Sequence, residues 1–492
     1  MANLLASAKQ LAKAAQANRK VDLPAGVGGL WQLIGFTPRA AQLEVLSHTK
    51  RFETLVCHRR FGKTVVLLAK LIARAIYCPF PMGSYGYIAP TYDQAKRIAW
   101  SYLLRMTDKI PGRVVNVADL AITLPTYAGD TATIRLFGID SPKQRLRGAY
   151  FDGVVFDEYA DCPPNQWGTV VRPMLSDDVR RGHDIHGFPN QWAEFSGTVA
   201  GLDHFFEMYN MARMWAAGLP VMMEDPENPA KQVRVVDPDW RATIYKASET
   251  GIISKEELAS ALREAIKGEG RHAFMREYEC DFHAAAPGSV YGDHIAMLRE
   301  GGRFITGTIN PNIAVNTAWD LGWDDATAIW LFQQIGNLVY LVGYMEMRHT
   351  SIPKIVHELD VASGQGRLFR FGYHLLPPDV EITELGSGKS RRAILAENGV
   401  RVTAVRQHDP VEGIAAARNL FQRLFVYEAE CAEGIRALSL YKRTIDSRLG
   451  VQSEKPVHDK YSHGADAFRT LAMGIRPAHE GNDPNLAERA EF

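Results

Sequence analysis

Paired cysteine is the first thing this sequence lacks. Its five cysteines, Cys57, Cys78, Cys162, Cys280 and Cys431, are scattered over 492 residues with no CxxC pair. That spacing excludes a disulfide frame and a zinc knuckle, and points to reduced thiols. Net charge is missing as well, with 56 Lys and Arg against 56 Asp and Glu. A polyanion would therefore have to be met by a local patch, because no overall field steers it. No apolar run approaches the roughly 20 residues of a membrane span, so no membrane partner is expected. Internal repeats and low-complexity blocks are also absent. Before Asp22 there is no acid, only Lys9, Lys13, Arg19 and Lys20 beside a helical stripe of Leu4, Leu5, Ala8, Leu11, Ala12 and Ala15. Without a continuous apolar core or a cleavage site this is no secretory signal. Residues 1–30 read as a basic surface helix or leader, with a partner-docking helix as the alternative.

What is present is ordinary for a soluble globular protein: 46% hydrophobic, 10% aromatic and 23% charged residues. The length suggests about two to four domains. From residue 31 to 285 strand-like runs alternate with helical ones: TLVC, SYGYIAP, TATIRLFGI, GVVFDE and QWAEFSG are separated or followed by amphipathic stretches such as KTVVLLAKLIARAI and SKEELASALREAI. Such alternation implies an α/β domain with a mostly parallel sheet and ligands at the carboxyl ends of its strands. Pro287, Gly288 and Gly292 then break the pattern, so 286–310 reads as a linker. A meander begins near 313 with turns at Gly322–Asp325 and Gly336–Asn337, and opens a second domain over 311–476. The Pro-, Asn- and Glu-rich residues 477–492 read as a flexible tail.

The first domain carries a phosphate loop. In TLVCHRRFGKT an apolar strand runs into Gly62-Lys63-Thr64 and a helix follows. Backbone N–H groups and the helix N-terminus would cradle phosphates, Lys63 would reach the β/γ-phosphates of ATP and Thr64 would ligate Mg²⁺. The first glycine of GxxxxGK[ST] is replaced by Cys57. GVVFDE ends a second strand on Asp157, placed to hold the Mg²⁺ shell, and Glu158, placed to polarise the attacking water. Arg59 and Arg60 lie within the loop, and Arg145 and Arg147 precede the second strand. Each fits a cation that meets transition-state charge, and equally a DNA contact or a salt bridge. Thr198, after the strand ending in Ser196-Gly197, is positioned to sense the γ-phosphate, and Gln42 to read adenine. GSGKS at 386–390 ends like another phosphate loop, but Thr383 stands at its first-glycine position and no strand leads into it. With Arg391 and Arg392 following, it reads as a loop that meets DNA phosphates.

In the second domain, acids are spaced as a metal-dependent nuclease needs them. Two-metal phosphodiester cleavage takes three or four carboxylates around ions roughly 3.5–4 Å apart. Asp320 follows the strand VNTAW, Asp379 ends FGYHLLPPD, and Asp466 lies in the helical SHGADAFRTLA. A central-strand acid, a neighbouring-strand acid and a helix acid are the arrangement of RNase H-like folds. Asp459, two helical turns before Asp466 if the helix reaches that far, is a fourth ligand candidate. Asp324 and Asp325 read as structural turn residues, and His458 and His463 as surface histidines, with orienting a ligand or touching DNA as the alternatives. Oxygen-only ligands suit Mg²⁺ or Mn²⁺.

Taken in order, RRFGKT, YIAPTYDQA, RLRGAYFDGVVFDE, FSGTVAG, the Asp320-Leu-Gly322 strand end and SHGADAFR resemble the large subunit of tailed-phage terminases over roughly residues 30 to 475. The resemblance implies an N-terminal P-loop (RecA/ASCE-like) ATPase domain that translocates double-stranded DNA into a procapsid, and a C-terminal RNase H-like nuclease that cuts concatemers. It assigns the ATP roles to Lys63, Thr64, Asp157 and Glu158, and the metal roles to Asp320, Asp379 and Asp466. The family's arginine finger matches Arg147 or an arginine of the loop. It also implies a portal protein and a small terminase subunit as partners, a ring of commonly five copies, and action in the host cytoplasm. A helicase–nuclease of repair or plasmid biology is the alternative, and would require a second RecA-like domain.

Overall fold

A computed structural model describes residues 23–475, apart from 25, 141–145, 147–149, 269, 287, 323–324, 384–387 and 446–451. Most of the expected leader, the tail 477–492, Arg145, Arg147 and Asp324 therefore lie outside the described residues. The chain divides into two compact units, Met1–Phe282 and His283–Phe492.

The first unit contains strands β1 (Phe52–Cys57), β2 (Gly83–Ala89), β3 (Val114–Asn116), β4 (Ala121–Pro125), β5 (Thr131–Gly138), β6 (Gly153–Phe156), β7 (Trp192–Gly197), β8 (Val221–Asp225), β9 (Asn228–Val235) and β10 (Trp240–Tyr245). β8 and β9 pair by themselves; the others form one sheet in the order β10-β1-β7-β6-β2-β5-β4-β3. Every neighbouring pair from β10 to β5 is parallel, and β4 and β3 extend the edge antiparallel. A parallel sheet is covered on both faces, and all six residues of β1 are buried. Leu55 and Cys57 enter one core with Val66, Leu67 and Leu71 of the helix Lys63–Ile76. Phe52 and Val56 enter another with Phe195, Trp240 and Phe205 of the helix His204–Ala216. One strand, β7, separates β1 from β6, which is the order expected of a RecA/ASCE-like P-loop domain. It brings the ends of β1, β7 and β6 to one edge.

A charged cluster sits inside this apolar packing. Lys70, on the inward face of the helix Lys63–Ile76, pairs with Glu194 of β7 and lies 3.5 Å from Glu53 of β1. Thr243 of β10 donates to Glu53 at 3.0 Å, and His48 sits against the same carboxylate. Burial pushes the Glu194 carboxyl up to about 7, with Lys70 opposing. Burial works in the same direction on Glu53, yet Lys70 and His48 hold it below the usual carboxylate range.

The second unit contains β11 (Phe304–Ile305), β12 (Val315–Asp320), β13 (Thr327–Ile335), β14 (Leu338–Met347), β15 (Phe371–Leu376), β16 (Val402–Ala404) and β17 (Leu424–Tyr427), in the order β11-β17-β14-β13-β12-β15-β16. β12, β13 and β14 form an antiparallel meander. β15 runs parallel to β12, and β16 parallel to β15. A three-strand meander whose first strand is followed across the sheet by two parallel strands, β15 and then β16, is the RNase H-like arrangement expected from the placement of the acids. The helix Ser462–Gly474 packs on this sheet through Ala465, Ala467, Phe468 and Leu471, which share a core with Ala318, Ala328 and Trp330. Trp330 donates its indole N–H to the Gly464 carbonyl at 2.8 Å. A Cβ on Gly464 would stand 2.8 Å from both Ala437 and the Tyr344 hydroxyl. That close approach sets the depth of the helix.

The segment 286–310 differs from its reading as a linker. It carries the helix Gly292–Glu300, whose Ile295 and Leu298 are buried with Phe421 and Leu438. Its glycine turns the chain rather than releasing it: a Cβ on Gly292 would meet Ala285 at 2.8 Å. Among the described residues no helix is long and apolar enough to cross a membrane.

Lys70→Met should leave Glu53 and Glu194 buried without their cation. We expect a loss of about 3–5 kcal/mol, read from urea unfolding of the full chain; an unchanged midpoint would show that the lysine does not hold the cluster. All five cysteines are buried. A charged thiol reagent should therefore label none of them in the native protein and five after denaturation, and one fast native thiol would contradict this packing.

Candidate functional site

In the first unit the phosphate loop grows out of β1 (Phe52–Cys57) and turns into the helix Lys63–Ile76 through two left-handed residues, Arg60 (φ 73) and Gly62 (φ 86). A Cβ on Gly62 would lie 2.8 Å from the Gln42 amide nitrogen, so glycine is required there by both conformation and space. Gln42 braces this turn. Its Nε2 donates to the Phe61 carbonyl at 3.1 Å, and its Oε1 accepts the Arg39 N–H at 3.0 Å. The side chain is buried, with one end of its amide on the loop and the other capping its own helix at Arg39, so in this structure it supports the loop rather than facing a nucleotide base. Cys57, at the missing first-glycine position, is the last residue of β1 and fully buried.

Facing the loop, β6 ends on Asp157 and Glu158. Thr64 donates its hydroxyl to Asp157 at 2.9 Å, and Tyr87 of β2 donates to the same oxygen. Lys63 Nζ lies 3.1 Å from Glu158. Thr198, just past β7, donates to the other Glu158 oxygen through its N–H at 3.3 Å and its hydroxyl at 3.4 Å. Burial pushes the Asp157 carboxyl up, and the Glu158 charge adds to this. Although burial opposes it, Glu158 and Asp157 hold the Lys63 ammonium above the usual lysine range. Glu158 adopts a left-handed backbone (φ 49, ψ 52), a strained conformation for a non-glycine residue, of the kind that clusters at functional sites. A cleft of about 500 Å³ is lined by Arg60, Gly62, Lys63, Thr64, Glu158 and Thr198, among others. Arg59 is largely exposed and 3.8 Å from Glu277.

In the second unit, Asp320 ends β12 and Asp379 stands in the short turn Pro378–Glu381 just beyond β15, so two parallel neighbours deliver acids to one edge. Asp466 lies in the first turns of the helix Ser462–Gly474. His463, one turn earlier on that helix, contacts Asp320 through Nδ1 at 3.1 Å. Arg391 pairs with Asp379 at 2.7 Å, and Arg469 with Asp466 at 2.7 Å. Burial pushes Asp466 up to about 6, Asp320 adding to it and Arg469 opposing. Asp379 is raised by burial against the pull of Arg391, with Asp320 again adding. Asp379 and Asp466 therefore each sense Asp320. They fit a divalent cation: every donor is a carboxylate oxygen, and Asp379 Oδ1 is buried with no hydrogen-bond partner.

Three expectations change here. Asp459 precedes the helix, which begins at Ser462, and its carboxylate accepts the Tyr461 N–H at 2.9 Å. It closes the turn and is not two helical turns below Asp466. Of the GSGKS loop, residues 386–387 lie outside the described residues, and the arginines that follow are engaged within the unit. Arg391 reaches Asp379, and Arg392 reaches Glu381 and the Val402 carbonyl at 2.8 Å. His463 is buried against Asp320 rather than exposed. Its position one helical turn from Asp466 was a signal in the sequence, since residues three apart share a helix face. Tyr87 and Arg391 carried no such signal, because only strand order and helix docking bring them to the acids.

No protein-family model matches the chain. It is 29% identical over 205 residues to the terminase large subunit of Thermus virus P23-45, a match covering 38% of this chain and 39% of that relative. The match thus spans well under half the length of the relative. The solved ATPase domain of the large terminase of Thermus phage P74-26 is similar at 23% identity and TM-score 0.37, covering 51% of this chain and 96% of that one. The large terminase of bacteriophage HK97 is similar at 10% identity and TM-score 0.41, with 89% and 95% covered. Scores this low add nothing to the strand orders described above. Over those 205 residues the chain is similar in sequence to phage terminase large subunits.

Proposed function

We propose that the chain is an ATP-driven motor for double-stranded DNA joined to a metal-dependent endonuclease, the two activities of a DNA-packaging terminase. One observation carries the reading: two separately folded sheets each deliver acids to the ends of adjacent strands, one set facing a phosphate loop and the other a carboxylate centre. The sequence match to terminase large subunits supports it. An unwinding enzyme would need a second RecA-like sheet, and the second unit is RNase H-like instead.

In the first unit Lys63 and Thr64 bind the phosphates of ATP, with Asp157 beside the Thr64 hydroxyl. Mg²⁺, when bound there, neutralises the phosphate oxygens and is held by Thr64 and Asp157. Without nucleotide, Glu158 is tied to Lys63. An arriving γ-phosphate competes for the ammonium and frees the carboxylate to orient water, while Thr198 carries the change to the end of β7. Arg59, Arg60 and Arg147 are the candidates for a cation acting on the transition state. In the second unit Asp320, Asp379 and Asp466 would hold divalent ions, Mg²⁺ or Mn²⁺, whose chemistry would be to activate water for phosphodiester cleavage. Arg391 and Arg469 fix the rotamers of two of these acids. The same reading brings a portal protein, a small terminase subunit, assembly as a ring of five and action in the host cytoplasm.

Glu158→Gln should lower DNA-stimulated ATP turnover at least about 10²-fold, while binding of a fluorescent ATP analogue stays within a few-fold. Unchanged turnover would remove Glu158 from the water-orienting role. Asp320→Asn should abolish Mg²⁺- or Mn²⁺-dependent nicking of supercoiled plasmid. Equal cutting by mutant and wild type would refute the assignment of the acids.

A further inference from the structure

In the second unit a cavity of about 450 Å³ lies between the helix Ile352–Ala362, β15 and the turn that follows the helix Arg391–Glu397. That volume falls within the roughly 300–1,000 Å³ of small-molecule sites. Among the described residues, none that lines it pairs or hydrogen-bonds with Asp320, Asp379 or Asp466. A bulge in β15 builds its floor. From Val315 to Thr317 β12 advances two residues, while β15 advances three, from Phe371 to His374. In a regular strand, residues three apart point to opposite faces; the bulge turns both rings into the cavity, with centroids 5.5 Å apart. Gly372 permits it, since a Cβ there would stand 2.2 Å from the Asn316 carboxamide oxygen, which accepts the Tyr373 N–H at 3.0 Å.

His374 is 7% exposed, and its bonding determines which edge is free. The Thr317 hydroxyl accepts the Trp319 indole N–H at 2.6 Å and lies 2.7 Å from His374 Nδ1. Thr317 is fully buried, and Nδ1 is the described acceptor for its one proton. Nδ1 therefore accepts, and the neutral ring carries its hydrogen on Nε2. Burial favours that neutral ring, pushing His374 down to about 4. No described residue takes the Nε2 hydrogen, so a buried donor is left to the cavity. Val356, Leu359 and Val400 supply apolar walls. The exposed lining residues His357, Asp360 and Asn398 mark the mouth. The Asn398 amide nitrogen is spent on the Ile394 carbonyl at 2.8 Å, so Asp360 and Asn398 both offer acceptor oxygens.

We propose that this cavity binds a nucleobase bearing an exocyclic amino group, its ring against Phe371, a ring acceptor taking the His374 Nε2 hydrogen, and its amino group donating to Asp360 and Asn398. A donor in the depth and two acceptors at the mouth ask for a flat ring with an acceptor on one edge and two hydrogens on the other, the pattern of cytosine and adenine. Protein side chains do not offer it: histidine alone has an acceptor on the edge of a flat ring, and it has no amino group. Such a base comes either as a free nucleoside or on an unpaired DNA strand, and the two sources are told apart below.

The test is calorimetry of the full chain with deoxycytidine, and with deoxyuridine, in which a carbonyl replaces the amino group. One deoxycytidine per chain is expected, and deoxyuridine should bind at least about tenfold more weakly. His374→Phe keeps a flat ring and loses the N–H; it should weaken deoxycytidine at least about tenfold with unchanged circular dichroism. Asp360→Ala, a change at an exposed residue, should erase most of the preference over deoxyuridine. No binding of deoxycytidine at millimolar concentration, equal binding of deoxyuridine, or full binding in His374→Phe would each overturn the proposal. Displacement by ATP would overturn it too, by assigning the base to the cleft of the first unit. Single-stranded oligo(dC) and oligo(dT), followed by fluorescence anisotropy, name the source. A preference for oligo(dC) that is lost in His374→Phe assigns the site to an unpaired strand; no such preference, with deoxycytidine still bound, assigns it to free nucleosides. These titrations contain no divalent metal, so their result is independent of whether the acids of the same unit cut DNA.

Discussion

Negative charge gathered at the ends of neighbouring strands is the constraint on which both units depend. In a chain with equal numbers of acidic and basic residues, that concentration is local and has to be balanced locally. In the first unit the order β1-β7-β6 sets Asp157 and Glu158 opposite Lys63 and Thr64. In the second, β12 beside β15 brings Asp320 and Asp379 together, and a helix adds Asp466. Burial pushes Asp157, Asp379 and Asp466 all upward, which is the signature of carboxylates held where water is scarce. Such groups are costly unless a cation joins them. The protein supplies part of that cation through Lys63, Arg391 and Arg469, and a bound divalent ion would supply the rest.

The phosphate loop shows how a broken motif can retain its geometry. GxxxxGK[ST] asks for a first glycine, and Cys57 stands there, but this residue is still extended strand and contributes to the core. The left-handed turn falls later, on Arg60 and Gly62, and only at Gly62 do conformation and the crowding by Gln42 both demand glycine. The strained residue across the cleft is Glu158, whose left-handed backbone costs on the order of 1–3 kcal/mol. That conformation directs one carboxylate oxygen to Lys63 and the other to Thr198. The strain is held in place by three contacts: the Glu158 N–H donating to Asp157 at 3.1 Å, the lysine, and the threonine.

Much of this was legible in the sequence, and what was missed follows one rule. Motifs local in the chain were readable: Gly62-Lys63-Thr64 behind an apolar strand, Asp157-Glu158 at a strand end, and a meander opening on Asp320. The fold class of each unit follows from those patterns, because parallel βα units and a meander leave few topologies open, whereas the strand orders came only with the sheets themselves. What could not be read were partners joined only by folding. Tyr87 reaches Asp157 because β2 lies next to β6, and Arg391 reaches Asp379 because the helix it opens packs against the turn Pro378–Glu381. Gln42 was read differently because folding spends one end of its amide on the loop and the other on the cap of its own helix. Asp459 failed for a local reason: its carboxylate preferred to close a turn, so the helix started three residues too late to carry it.

The two centres differ in how their charge is satisfied, and the difference follows from the fold. In the first unit the balancing cation sits on the loop that receives the ligand, so Lys63 is shared between Glu158 and an incoming phosphate. On the proposed reading this ion pair is a latch: Glu158 is held by the group that a nucleotide would engage, and would be released when nucleotide binds. In the second unit the balancing arginines sit beside the acids they pair with, Arg391 at the start of its helix next to Asp379 and Arg469 one turn along the helix that carries Asp466. His463 ties Asp320 to the same helix that carries Asp466. The first arrangement suits a group that must change partners in every cycle, and the second suits a rigid set of ligands waiting for metal.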